Sequence, residues 1–183
     1  MNWIFAGLLL DHLDLYFYGR IDVLPDWLGY LLVLWGMKNL CQTLPSFRWA
    51  RLGPLAAALV SIALFGANVM GYLPDAGWPG AYVRFVDYAL TFAVELVFFA
   101  ALRGAECSLQ TELDDAAFLP AVCVTWLFAA GGVVLRLTEN GIFGILTTIS
   151  TALLTVWLFY ALRQICKNYR YTKMQQAFDS KRW

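Results

Sequence analysis

The stretch Leu52–Leu73, LGPLAAALVSIALFGANVMGYL, has no charged side chain from end to end. A bilayer's hydrocarbon core takes about 20 such residues in a helix. No strand alternation of the barrel type interrupts it, so it reads as a transmembrane helix. Working outward from it, five more apolar blocks follow the same rule: 2–18, 27–41, 81–102, 116–136 and 139–162. The breaks between blocks hold Pro, Gly and charge, as at Gly19-Arg20-Ile21-Asp22, Pro45-Ser46, Pro74-Asp75, Asp114-Asp115 and Glu139-Asn140-Gly141. The expected fold is therefore all-α, a polytopic membrane helical bundle of about six transmembrane helices. It would occupy residues 1–166, with a short basic tail at 167–183.

Composition agrees. The chain is 61% hydrophobic and 14% charged, where a soluble domain is nearer half apolar and about a quarter charged. Net charge is zero, which argues against nucleic acid as a partner. Cys41, Cys107, Cys123 and Cys166 form no C-x-x-C pair, so no metal, disulfide framework or other cofactor is expected. The opening Met1-Asn2-Trp3 has no basic n-region, so the first hydrophobic block is expected to stay in the mature chain.

Orientation comes from the cations. With Met1 inside, the inner loops and tail hold Lys38, Arg48, Arg51, Arg103, Arg163, Lys167, Arg170, Lys173, Lys181 and Arg182. The outer ends hold only Arg20, Arg84 and Arg136. Ten against three is a positive-inside bias. It predicts both termini in the cytoplasm and an even number of spans. Each even-numbered span stops at a cation with a cysteine soon after: Lys38 and Cys41, Arg103 and Cys107, Arg163 and Cys166. Three helical hairpins of about 60 residues would give that pattern. So would the positive-inside rule alone.

The residues able to carry chemistry are few. Trp3–Leu10 is apolar but reaches only about 12 Å. To cross, the first helix has to run on through Asp11, His12, Asp14 and Tyr16. An aspartate at mid-depth costs about 2.5–3.5 kcal/mol, and five good apolar residues return only about 2–3. Those acids must hide against other helices or in a wet cavity. In the fourth span Arg84, Asp87, Thr91 and Glu95 stand at spacings of 3, 4 and 4, on one helix face. Asp87 can pair with Arg84 at the outer end. Glu95 has no local cation and needs a partner from elsewhere, with Asp11 and Asn68 the first polar groups expected at its depth. Thr147, Thr148, Thr151 and Thr155 form a hydroxyl face on the sixth span.

Three functions fit these residues. Asp11, Asp14, Asn68, Asp87, Thr91 and Glu95 could line a path for a small solute, cation or proton, as intramembrane acids commonly do. They could instead specify helix packing in a non-catalytic partner or scaffold subunit that binds another membrane protein or itself. A metal-hydrolase site built on Asp11, His12 and Asp14 fits poorly, because position 12 points about 100° away from position 11. No nucleophile, base and orienter stand at recognisable spacing, which weighs against an enzyme.

The segment Ile21-Asp22-Val23-Leu24-Pro25-Asp26-Trp27-Leu28-Gly29-Tyr30, with the opening Trp3–Asp11, resembles a family of small uncharacterised bacterial multi-pass membrane proteins. That family shares an I-x-x-L/I-P-D-x-x-G-Y turn after the first hydrophobic segment. The resemblance covers about the first 40 residues and implies no activity. Pro25 suits a helix's first turn, and Asp26 suits its positive N-terminal end. Gly29 would admit a neighbouring backbone, with Tyr30 closing the motif.

Overall fold

The computed structural model describes residues 1–12, 16–17, 21–22, 26–72, 77–109, 113, 116–137 and 141–179. Within them the chain is helical: α1 (Asn2–Asp11), α2 (Asp26–Leu40), the short α3 (Phe47–Ala50), α4 (Leu52–Val69), α5 (Gly77–Leu109), α6 (Phe118–Leu137) and α7 (Gly141–Asp179). Between α1 and α2 lies one antiparallel pair of two-residue strands, β1 (Tyr16–Phe17) and β2 (Ile21–Asp22). Tyr16 stands opposite Asp22 and Phe17 opposite Ile21.

With α3 and α4 taken together as Phe47–Val69, the described helices match the six hydropathy blocks in number but are unequal in length. Phe47–Val69, Phe85–Leu109 and Ile145–Phe178 are long and apolar enough to cross a membrane, while Asn2–Asp11 and Phe118–Val134 are shorter apolar stretches. This corrects the first block. The expected helix over 2–18 ends at Asp11, where His12 caps it with a backbone N–H shared between Leu8 and Leu10 carbonyls. The reason is local. Asp11, His12 and Asp14 interrupt the apolar run, and the aromatic and β-branched residues that follow favour extended backbone. Asp14 and Pro25 lie outside the described residues.

At the other end of the chain, α7 runs through Cys166 to Asp179 without a break. Its 39 residues span about 58 Å, nearly twice the hydrocarbon thickness. The expected basic tail is therefore helical as far as Asp179. Near its start Tyr169 is buried, Asn168 donates to the Leu113 carbonyl (3.3 Å), and Arg170 donates to the Asn2 side chain (3.3 Å). Cys166, Arg170 and Lys173 all surround the Met1 ammonium, which burial holds below its ordinary pKa.

The helices close into a ring. In chain order α1 packs on α2, α2 on α4, α4 on α5, α5 on α6 and α6 on α7, and α7 returns to α1. Inside it Ile4, Tyr30, Val33, Met37, Phe47, Phe98, Leu102, Phe118, Leu162 and Ile165 make the core. Outside, large apolar residues such as Leu59, Leu127, Leu153 and Val156 are well exposed. That arrangement suits a lipid surround, where an apolar exterior needs no cover.

Two glycines fix geometry. Gly71 adopts φ +73° and ends α4, with its N–H on the Asn68 carbonyl and the Tyr72 N–H on the Ala67 carbonyl, both 2.9 Å. This is the left-handed helix stop that a Cβ disfavours. Gly29 of α2 faces Gly7 of α1 so closely that a Cβ on Gly7 would stand 2.5 Å from the Gly29 carbonyl oxygen. One on Gly29 would stand 2.7 Å from that of Gly7. Backbones in such contact cannot admit a side chain without separating.

Gly7→Leu and Gly29→Leu should each destabilise the fold by about 1–3 kcal/mol or more through overpacking. Gly66, whose Cβ would meet nothing within 4 Å, is the control. Gly66→Ala should be neutral or stabilising by up to about 1 kcal/mol from helix propensity. Thermal unfolding of the purified variants in one detergent checks both, and a Gly29→Leu protein as stable as the parent would refute the α1–α2 contact.

Candidate functional site

Burial in this protein is mostly apolar, so the buried polar residues stand out: Asp11, Ser61, Thr91, Glu95 and Thr125. Three of them, Asp11, Thr91 and Glu95, gather inside the ring. Asp11 is the last residue of α1, carried there by the glycine contact, since its Cβ lies 3.2 Å from where a Gly29 Cβ would be. Thr91 and Glu95 lie one helical turn apart on α5 and face the same way.

Glu95 is 0% exposed. A carboxyl group so enclosed must find partners in the protein. Oε2 accepts a hydrogen bond from Trp126 Nε1 on α6 (2.5 Å). Oε1 faces Nε2 of His12 at 3.6 Å, within ion-pair range but longer than a hydrogen bond. His12 is itself enclosed by rings, with Trp126 at 5.7 Å and Phe159 of α7 at 5.4 Å between centroids. Its Nδ1 lies 3.0 Å from the Leu8 carbonyl. A carbonyl only accepts, so Nδ1 carries a hydrogen, and Nε2 is the nitrogen turned toward Glu95. Tyr88 and Phe92 complete the aromatic wall against Trp126.

One level away, Tyr30 and Thr91 share a 2.8 Å hydrogen bond. Thr91 also donates to the Asp87 carbonyl (3.3 Å), which leaves Tyr30 as donor to Thr91. Both hydroxyl protons are thereby committed. Asp11 faces this pair closely enough for both hydroxyls to act on its carboxyl, yet neither carboxyl oxygen sits in a well-formed hydrogen bond among the described residues. It is 7% exposed. Asp87 and Glu95 act on it electrostatically, and the Asp87 carboxyl meets that of Asp26 from the first turn of α2. Asp26, Asp87, Asp11 and Glu95 thus form an acidic column, ending at His12 and Trp126.

Most residues singled out in the sequence converge here, though not all. Asn68 does not. Gly53 of α4 sits against Val97 of α5, 3.3 Å from a Cβ to Cγ1. Asn68 is 15 residues along α4 from Gly53, and Glu95 only two along α5 from Val97, so the two are about 20 Å apart along the helix axes. The expectation that they share a depth is therefore corrected. The Arg84 side chain lies outside the described side chains, and with it the expected pairing to Asp87. On α7, Thr151 and Thr155 bond back to the Thr147 and Thr151 carbonyls, while Thr147 abuts Gly132 of α6. Cys41, Cys107, Cys123 and Cys166 are free thiols. Among the described residues no three of His, Cys, Asp and Glu gather to hold a metal ion.

Two partners were not read from the sequence as site residues. His12 enters the sequence reading only in a poorly fitting metal site, though as the chain's only histidine it carries a signal. Trp126 gave none, sitting in an apolar run like any lipid-facing ring. No protein-family model, no curated protein and no solved structure matches the chain.

Trp126→Phe keeps a ring but removes the donor to Glu95. It should destabilise the protein by about 1–3 kcal/mol, the range for a buried hydrogen-bonding group left unsatisfied. In a Glu95→Leu background the same change should cost far less, because no acceptor remains. A double-mutant cycle on thermal stability measures the coupling, and simple additivity would mean that the two side chains do not interact.

Proposed function

We propose that the chain is a small transporter-like membrane protein of the bacterial inner membrane, in which the acids at the centre of the helix ring take up and release a proton or small cation. The observation that carries this reading is Asp11, enclosed beside Asp87 and Glu95, with the Tyr30 and Thr91 hydroxyls facing it but neither carboxyl oxygen in a well-formed hydrogen bond among the described residues. A polar residue kept only for packing is expected to find hydrogen bonds, since each buried group left without one costs about 1–3 kcal/mol. Acids within membrane segments are rare, and ion and proton paths are among the roles they mark.

The shape of α1 and α2 supports the same reading. Their 10 and 15 residues reach about 15 and 22 Å, short of the hydrocarbon core. The chain between them includes strand backbone. Non-helical backbone at membrane depth is tolerated only where protein buries it or where it lines a water-filled cavity. A short α1–α2 pair suits a water-filled path on that side of the ring, along which Asp26, Asp87 and Asp11 would follow one another.

The orientation proposed is Met1 and Trp183 both cytoplasmic, from the ten-to-three distribution of Lys and Arg. The closeness of Met1 to Cys166 and Arg170 supports placing both on one side. Reporter fusions at Trp78 and Trp183 should read opposite sides of the membrane, with Trp78 outside. The same side for both would refute the arrangement.

A second reading has its own observation. Glu95 and Thr91 have protein partners, as packing residues in a scaffold subunit would. Function separates the two. In proteoliposomes the parent should carry a proton- or cation-linked flux, and Asp11→Asn and Glu95→Gln should abolish it at unchanged thermal stability, because an amide still hydrogen-bonds but cannot exchange the charge. No flux from the parent with protons, Na⁺ or K⁺, or full flux in both variants, would favour the scaffold.

A further inference from the structure

The geometry points to a proton as the species this site binds, held between Nε2 of His12 and Oε1 of Glu95. The inference rests on the transport reading above and narrows its substrate class. Nδ1 of His12 is committed to the Leu8 carbonyl at 3.0 Å, so in the neutral ring Nε2 presents a bare lone pair. Oε1 of an ionised Glu95 presents lone pairs as well. These atoms face each other at 3.6 Å, both enclosed and both without another hydrogen-bond partner among the described residues. Two acceptors so placed repel unless one carries a proton. With one proton the contact becomes attractive in either form: glutamic acid donating to imidazole, or imidazolium donating to carboxylate. Hydrogen bonds at such sites are often long without their substrate and tighten with it.

The surroundings select against a metal cation. Hard cations are held in cages of oxygen. Here the second oxygen of Glu95 is taken by the Trp126 N–H, and aromatic rings fill the space around His12. A proton needs only the two facing atoms.

The groups gathered about Asp11, which itself acts on Glu95, also suit relay. From α1 comes Asp11, from α2 Tyr30 and Asp26, and from α5 Asp87. α6 and α7 contribute the uncharged Trp126 and Phe159. In a transfer step the O–H bond of Glu95 breaks and the N–H bond of His12 forms, leaving carboxylate and imidazolium. The reverse step restores the pair, and Asp11 is the next acceptor along the column.

Because His12 is the only histidine in the chain, ¹⁵N-histidine labelling of the full protein, purified on a histidine-free tag into lipid nanodiscs, gives one imidazole to observe. Nδ1 should be protonated wherever the protein is folded. The Nε2 resonance should differ from that of a bare ring nitrogen and should change on Glu95→Gln. The opposite tautomer, with the proton on Nε2 and Nδ1 bare, would overturn the pair, as would an Nε2 resonance identical in parent and variant. Should the variant fail to fold, the parent's tautomer decides alone. The same preparation in liposomes loaded with a pH-sensitive dye separates this inference from the one beneath it. Flux of Na⁺ or K⁺ without proton movement would overturn the proton while leaving transport intact. The expected spectrum with no flux of any cation would overturn transport and leave the pair standing.

Discussion

A carboxyl group that cannot reach water must be solvated by the protein around it, and Glu95 obliges the ring to supply what water would. The demand falls on three separate elements. α6 brings the indole N–H of Trp126, the end of α1 brings His12, and α5 holds the acid itself. None of these helices could leave the assembly without stranding a charge or a dipole in an apolar interior, where each unsatisfied group costs several kcal/mol. Van der Waals contact in a lipid surround says little about which helix belongs next to which, since tails and side chains are alike in polarity. The acid is what makes the arrangement specific.

The close approach of α1 and α2 serves the same end. Gly7 and Gly29 let the two backbones touch. That contact sets the C-terminal end of α1 inside the ring rather than on its outer face, delivering Asp11 toward Tyr30 and Thr91 and His12 toward Glu95. An α1 held a side chain's width further out would carry both residues away from α5. The small residues and the acids are therefore two parts of one device, the first fixing position and the second using it.

Hydropathy made the helical architecture legible, because an apolar run of membrane length admits few other structures. The polar face of α5 was legible too, since spacings of 3 and 4 put Asp87, Thr91 and Glu95 together whatever surrounds them. The partners across the ring were not. Trp126 differs from a lipid-facing tryptophan only in what stands opposite it, which a local pattern cannot record. Asn68 was misplaced by depth: it stands 16 residues from the expected inner end at 52 and Glu95 only seven from the one at 102, and the continuation of α5 to Leu109 widens that gap. The end of α1 misled because a crossing helix was assumed where Asp11 and His12 allow a shorter one.

The two halves of the ring are unlike. Around the end of α2, with α3, α5 and α7, Met37, Leu40, Phe47, Phe98, Leu102, Phe118 and Ile165 form an apolar core, held further by Glu106 on the Leu113 N–H (2.7 Å) and Asn168 on the Leu113 carbonyl. Beyond Glu95 toward the start of α5, the interior turns to acids and hydroxyls, and the helices on that side become short. Close-packed interiors resist deformation, whereas enclosed polar groups with unpartnered atoms gain from any rearrangement that admits water. Motion in this protein should therefore concentrate on the acidic side, about the α1–α2 pair, with the apolar end as the fixed base. An asymmetry of that kind would let one side of the membrane reach Asp11 while the packed core seals it from the other, which is the minimum that directional release of a proton requires.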